Sequence, residues 1–295
     1  MTKEQELYFG RAENEITEHV IYHRLALREK KPENRALLEK LSAQEKSHYD
    51  FWMTFLPGVV VKPRQAGILA TSVMRTLFGV TFTTKLLENH EKDSIAAYEA
   101  MLPALPAEKQ AGLRAIIEDE RAHERALIGE LKERRVAYIG FVALGLADAI
   151  VEITGVHAGF LGVTGSTLLA GVSGIIVGFA AAISMGSAAY LQAKQDTEKS
   201  AIASAFITGI TYLFAVILLA LPYFLIRTMA TAFTASTLVG IGLLSIFTLY
   251  GAVVFERKFF REFFESVALM LGTAVATYFV GEVVGRVFHL NAASY

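Results

Sequence analysis

The sequence predicts an all-α protein in two parts, a charged helical module followed by a module of five membrane spans. Three observations carry this prediction: uneven placement of charge, five long apolar runs after residue 135, and a repeated Glu/His pattern before it. Residues 1–135 hold 21 acidic and 21 basic side chains, whereas residues 136–295 hold only 8 acidic and 7 basic ones. The chain is 53% hydrophobic, with a mean hydropathy of +0.41 and a formal net charge of −1. Soluble domains rarely average so apolar.

The balanced charge offers no basic patch, which argues against nucleic acid as a partner. The absence of cysteine excludes disulfides, thiolate zinc sites and cysteine-ligated iron–sulfur centres. A bound metal must then be held by oxygen, imidazole or thioether. The first residues, Met1-Thr-Lys-Glu-Gln-Glu6, carry no apolar signal-peptide core, so the charged module is expected in the cytosol.

Residues 1–133 contain an internal repeat. Glu15 is followed seven residues on by Tyr22, and Glu45 opens a Glu-x-x-His motif ending at His48. Glu91 is likewise followed by Tyr98, and Glu120 opens a second motif ending at His123. All four segments are rich in good helix formers. A breaker sits midway between each lone Glu and its motif Glu: Pro32 in the first half, Pro103 and Pro106 in the second. Each half should fold as an antiparallel helical hairpin with its two Glu at one height. Glu and His at i and i+3 share a helix face. Two such hairpins packed face to face gather four carboxylates and two imidazoles, the ligand set of a di-iron or di-manganese carboxylate bundle. Glu88, one turn before Glu91, fits as a further ligand. Glu18 could do likewise in the first helix, and both equally suit surface charge. His19, His23 and His90 match no repeat position. Tyr22 and Tyr98 are expected to hydrogen-bond beside the ligands.

The connection 57–86 is long and partly apolar, which suits the crossover of a ferritin-like four-helix bundle. Its apolar residues leave three options open: a longer third helix, a membrane-lying segment, or exchange between protomers.

Five apolar stretches follow, at 138–160, 163–190, 201–224, 235–255 and 265–288. Each is long enough to span a bilayer. With the N-terminus inside, the inner flanks carry Lys132, Arg134, Arg135, Lys194, Lys199, Arg257, Lys258 and Arg261, and the outer flanks only Arg227 and Arg286. The positive-inside rule thus predicts a cytosolic N-terminus and an external C-terminus. The short link Gly162–Gly165 predicts a tight hairpin of the first two spans. Asp148 and Glu152 share one face of the first span, where each charge costs about 2.5–3.5 kcal/mol at mid-bilayer. They call for protons, a cation or a water-filled cavity. Met185, late in the second span, offers a soft thioether or simple packing. Gly171, Gly174, Gly178 and Gly186 suit close helix packing.

Residues 1–133 resemble the rubrerythrin branch of the ferritin-like superfamily, through Glu15, Glu45-x-x-His48, Glu91 and Glu120-x-x-His123, with Glu88 as that branch's additional carboxylate. Residues 134–295 resemble the vacuolar iron transporter family, through Gly145-Leu-Ala-Asp148, Glu152, Ser184-Met185 and Tyr190. The combination is similar to the membrane-bound ferritins, fusions of the two. The resemblance implies an iron exporter, with manganese as a second cargo, in a bacterial inner membrane. It implies a homodimer with a transport path of Asp148, Glu152 and Met185. It further implies a dinuclear iron site in which manganese or zinc can substitute, and possible ferroxidase chemistry there. Carboxylates bind metal and protons in competition, so exchange for protons is the natural coupling. Two departures matter. The missing cysteine removes the rubredoxin-type electron donor, and the link between spans two and three is too short for a metal-collecting insert. The competing expectation is a membrane-tethered di-iron oxidase or peroxidase.

Overall fold

A computed structural model describes residues 1–130, 134–195 and 199–290, apart from the side chains of 88–93, 124–130 and 134–137. Among the described residues the chain is helical without strands, and it divides into two compact units, Met1–Glu133 and Arg134–Tyr295.

The first unit contains α1 (Lys3–Arg28), α2 (Pro32–Met53), α3 (Gln65–Phe78), α4 (Val80–Met101) and α5 (Ala107–Glu130). Local chemistry sets their ends. Thr2 and Gln5 form a reciprocal capping box at the start of α1. Pro32 opens α2, where its missing N–H costs nothing. A 3₁₀ turn over Leu102–Ala104 carries the chain from α4 to α5. Gly79, at φ 92, separates α3 from α4. The connection therefore contributes a separate helix, α3, laid against α1, rather than a longer third helix.

α1 and α2 pack along each other as a hairpin, and α5 contacts both α2 and α4. Two apolar clusters fill this unit. One is built around Tyr22, Leu38 and Leu41 with Ile68 of α3. The other gathers around Trp52, Tyr98 and Leu113. Along α1 and α2 the fully buried apolar members of the clusters are interrupted, after Ala12 and before Ile21 on α1, and between Leu41 and Trp52 on α2. The motif residues fall in those intervals.

The second unit contains α6 (Arg134–Val163), α7 (Thr167–Ala193), α8 (Ala201–Leu225), α9 (Met229–Phe255) and α10 (Phe259–Val287). All five are long and apolar enough to cross a membrane. Large apolar side chains such as Phe179, Ile183, Phe206 and Phe279 are exposed on them, as expected of surfaces solvated by lipid. α9 and α10 begin about one and a half turns earlier than the apolar runs suggest. At the start of α10 the charged residues pair instead of breaking the helix, Arg261 with Glu265 at 2.9 Å.

Helix pairing also differs from a simple hairpin of the first two spans. α6 packs most closely on α10, and α7 on α8. Glycines make both contacts possible. A Cβ at Gly162 would stand 2.5 Å from the Tyr278 carbonyl, and one at Gly178 equally close to Val216. The other glycines of α7 also lie at contacts. Gly171 faces Tyr223 and Phe224, Gly174 faces the His157 ring, and Gly186 faces the Ala205 backbone.

Candidate metal centre

Glu15 projects from α1, Glu45 and His48 from α2, and Glu120 and His123 from α5; all five are buried. One ligand atom from each of Glu15, Glu45, His48 and Glu120 lies within 4.8 Å of the others. Two ligands on opposite sides of one ion bound at about 2.0–2.2 Å stand about 4.0–4.4 Å apart. The observed cage is only slightly wider.

The arrangement has a two-sided order. Glu45 turns Oε2 to His48 Nδ1 and Oε1 to His123 Nδ1, each at 3.4 Å. Glu120 does the same, with Oε1 3.2 Å from His48 Nδ1 and Oε2 3.4 Å from His123 Nδ1. Each motif carboxylate thus faces both imidazoles, whose rings lie 6.1 Å apart and nearly parallel. Glu15 joins on the His48 side, with Oε2 3.6 Å from Nδ1. The counterpart residue Glu91, with Glu88 and His90, lies within the α4 range, but their side chains are outside the described residues.

Surrounding groups hold the first set in place. His48 Nε2 lies 3.3 Å from Asp119 Oδ2, which fixes the ring so that Nδ1 looks inward. The Gln44 amide donates to Asp119 Oδ1 at 3.1 Å. Tyr98 donates its hydroxyl to Glu15 Oε1 at 2.6 Å. Tyr22 is buried in the neighbouring apolar cluster. Glu18 is half-buried and bears electrostatically on Glu45. His19 is turned away to Ser42, with Nδ1 2.8 Å from its carbonyl.

The protonation pattern follows. Burial pushes the Glu45 carboxyl well up; the facing His48 imidazole opposes this, and the charges of Glu120 and Glu15 reinforce it. Burial alone would lower His48, but the carboxylates of Glu120, Glu15 and Glu45 facing its Nδ1 outweigh it and raise the imidazole. Burial would raise Glu120, yet His123 and His48 overcome it and hold this carboxyl at about 2. Burial and Glu15 raise the Tyr98 phenol, so it remains a donor.

These residues fit a cation. Glu15 Oε2, both Glu45 oxygens, Glu120 Oε2 and both ring nitrogens of His123 are buried without a hydrogen-bond partner. Each such group costs about 1–3 kcal/mol when left unsatisfied. Oxygen and imidazole donors suit first-row divalent ions.

In the second unit, Asp148 and Glu152 lie half-buried on α6. Gly145 lets α8 approach, since a Cβ there would stand 2.5 Å from the Thr208 carbonyl. One turn further along α8, Tyr212 donates its hydroxyl to Glu152 Oε2 at 2.5 Å. Met185 packs half-buried against the apolar core containing Ala182 and Tyr212. Glu282 and Arg286 pair with each other on α10. His157 is buried with its ring centroid 4.1 Å from that of Tyr223.

Sequence reasoning missed Asp119 and Tyr212. Asp119 and Gln44 each precede a motif Glu, so the repeat contained that signal. Tyr212 stood out only as a phenol within an apolar span. Compared with family models, with curated proteins and with solved structures, the chain matches none.

Proposed function

We propose that the protein exports iron, with manganese as a second cargo, from the cytosol of a bacterium across its inner membrane as a homodimer. In this reading the first unit is a ferritin-like four-helix bundle with a dinuclear centre. The observation that carries it is the pair of carboxylates, Glu45 and Glu120, each facing both His48 and His123. Such a pair suits two cations side by side, with Glu15 and His48 completing one position and His123 belonging to the other. By the sequence repeat Glu91 would be the matching ligand on the second side, with Glu88 as a further one. Iron held there would supply one-electron redox chemistry, and manganese or zinc would occupy the same donors.

The chain's own residues divide the work. Asp119 holds the His48 ring with Nδ1 turned to the carboxylates, and Tyr98 orients Glu15. Capture requires His48 to give up the proton that its carboxylate neighbours favour, so cargo and protons compete. Asp148 and Glu152, with Met185 as a softer donor, line the path through the five spans, and Tyr212 steadies Glu152 between passages. Competition at these carboxylates couples export to proton entry.

Proteoliposomes loaded with a metal-quenched dye test this reading. Fe(II) flux should fall at least about tenfold in Asp148→Ala, as expected when a carboxylate needed within a span is removed. Flux unchanged by that substitution, together with Fe(II)-driven oxygen consumption that depends on Glu45 and His48, would overturn the exporter in favour of a tethered oxidase.

A further inference from the structure

Residues 51–87 contain four basic side chains and no acidic one, in a module that elsewhere carries more acid than base. α3 lies at the centre of this segment. Ile68 and Thr71 face inward and are buried, while Leu69, Val73 and Leu77 recur every four residues on the opposite face. These three are 50–68% exposed, and Val60 just before the helix is 77% exposed. Ala66 and Ala70 complete a face without a single charge. Lys62 and Arg64 stand exposed at its start, with Arg64 near Glu13 at 3.6 Å, and Arg75 pairs with Glu29 near its end.

An apolar face of this kind on a charged unit needs a cover. Its four large side chains offer roughly 400 Å² of apolar surface, about half of the ~800 Å² per partner that a stable protein interface buries. A second copy is therefore too small a gain. Lys62 and Arg64, both exposed at the start of this face, instead complement anionic headgroups. The unit is also tied at residue 134 to the first apolar helix, so a bilayer is always at high effective concentration.

We propose that α3 is an amphipathic anchor whose outer face, Leu69, Val73 and Leu77, inserts into the headgroup boundary of an anionic membrane. The proposal rests on reading the second unit as membrane-spanning and goes beyond the transport function. Gly79 ends α3, so docking need not disturb α4, which carries Tyr98 beside the metal centre.

The chain has no cysteine, so single labels report without background. Spin labels at Leu69→Cys, Val73→Cys and Leu77→Cys are compared with Leu238→Cys, exposed on α9, and Glu39→Cys, exposed on α2. The full chain is reconstituted in phosphatidylcholine with one quarter phosphatidylglycerol. Collision with oxygen against a water-soluble nickel chelate should place all three α3 labels with Leu238 and at least about fivefold from Glu39. Adding Val73→Glu should return the Leu69 label to water, and phosphatidylcholine alone should reduce immersion several-fold. Three water-exposed α3 labels beside a lipid-exposed Leu238 label would overturn the anchor alone. Short label-to-label distances between copies, with nickel and oxygen both excluded, would show a second copy instead and overturn it. Immersion unchanged in phosphatidylcholine alone would overturn the anionic preference. A water-exposed Leu238 label would overturn the membrane reading and the anchor together.

Discussion

Glu45 and Glu120 are almost wholly buried and meet two imidazoles, whereas Asp148 and Glu152 are half-buried and Glu152 meets one phenol. The first pair is compensated by fixed, mutually oriented partners. The second pair has a hydroxyl that can rotate away. A cation bound by the first set replaces several unsatisfied contacts at once, and one bound by the second replaces few. The difference separates a firmly fixed set of carboxylates from a looser one. It can be broken by showing that the two sets depend on each other, or sharpened by substitutions that move one property only.

The largest effect is expected at the motif carboxylates. Glu45→Ala or Glu120→Ala removes an oxygen facing each imidazole, and metal affinity of the full chain in detergent should fall by more than about 100-fold. Loss of outer partners alone costs 10–100-fold in known metal sites. Calorimetry and metal analysis read this directly. Affinity that survives both substitutions would break the comparison, because the buried set would then not be the holding site.

Asp148→Asn and Glu152→Gln should act on flux rather than on holding. Flux in proteoliposomes should drop by roughly tenfold or more, as expected when a charged pathway group is neutralised. Metal bound to the charged unit should stay within about twofold of the parent. A matching loss of bound metal would join the two sites into one.

Acidity gives the next effect, and its sign is fixed by His48. The imidazole is raised by its three carboxylate neighbours, so the metal-free centre keeps a proton there at neutral pH. Binding through Nδ1 expels it. Glu120, held at about 2, is already ionised and contributes none. Glu45, raised by burial, adds to the same direction. Affinity should therefore rise with pH, about tenfold per unit for each proton released. Titration in buffers of different ionisation enthalpy counts the protons. A count of zero would remove His48 from the ligand set.

The helical class and the clustering of the motif residues were legible because both obey simple periods. Glu15, Glu45, His48, Glu120 and His123 recur at spacings that two hairpins bring to one height, and proline marks each turn. The apolar runs declared five long helices by length alone. What the sequence hid was relational. Nothing in residues 57–86 announced that Gly79 would break the helix there, since glycine is also tolerated within helices. The preference of α6 for α10 over α7 depends on glycines meeting backbone across the contact, as at Gly162 and Tyr278. The short link between the first two spans pointed to the other pairing. Asp119 was overlooked because its role lies with His48, on another helix, rather than with the motif it adjoins.

The smallest effects, and the finest test of the comparison, belong to two tyrosines with the same task in unlike surroundings. Tyr98 donates to Glu15 at 2.6 Å in a fully buried site, and Tyr212 donates to Glu152 at 2.5 Å beside a half-buried carboxylate. Tyr98→Phe leaves Glu15 Oε1 without a donor where water cannot replace it. A hydrogen bond to a charged group is worth about 1.5–3 kcal/mol, so metal affinity should weaken by roughly tenfold or slightly more. Tyr212→Phe removes a donor from a carboxylate that is only half-buried, so under the export reading flux should change by no more than about threefold. Rescue differs as well. Glu15 is almost wholly closed to small donors from solution, while Glu152 is only half-buried. Equal losses in the two variants would mean that Glu152 is as firmly held as Glu15. The membrane pair would then be a second holding site, and export would need another route.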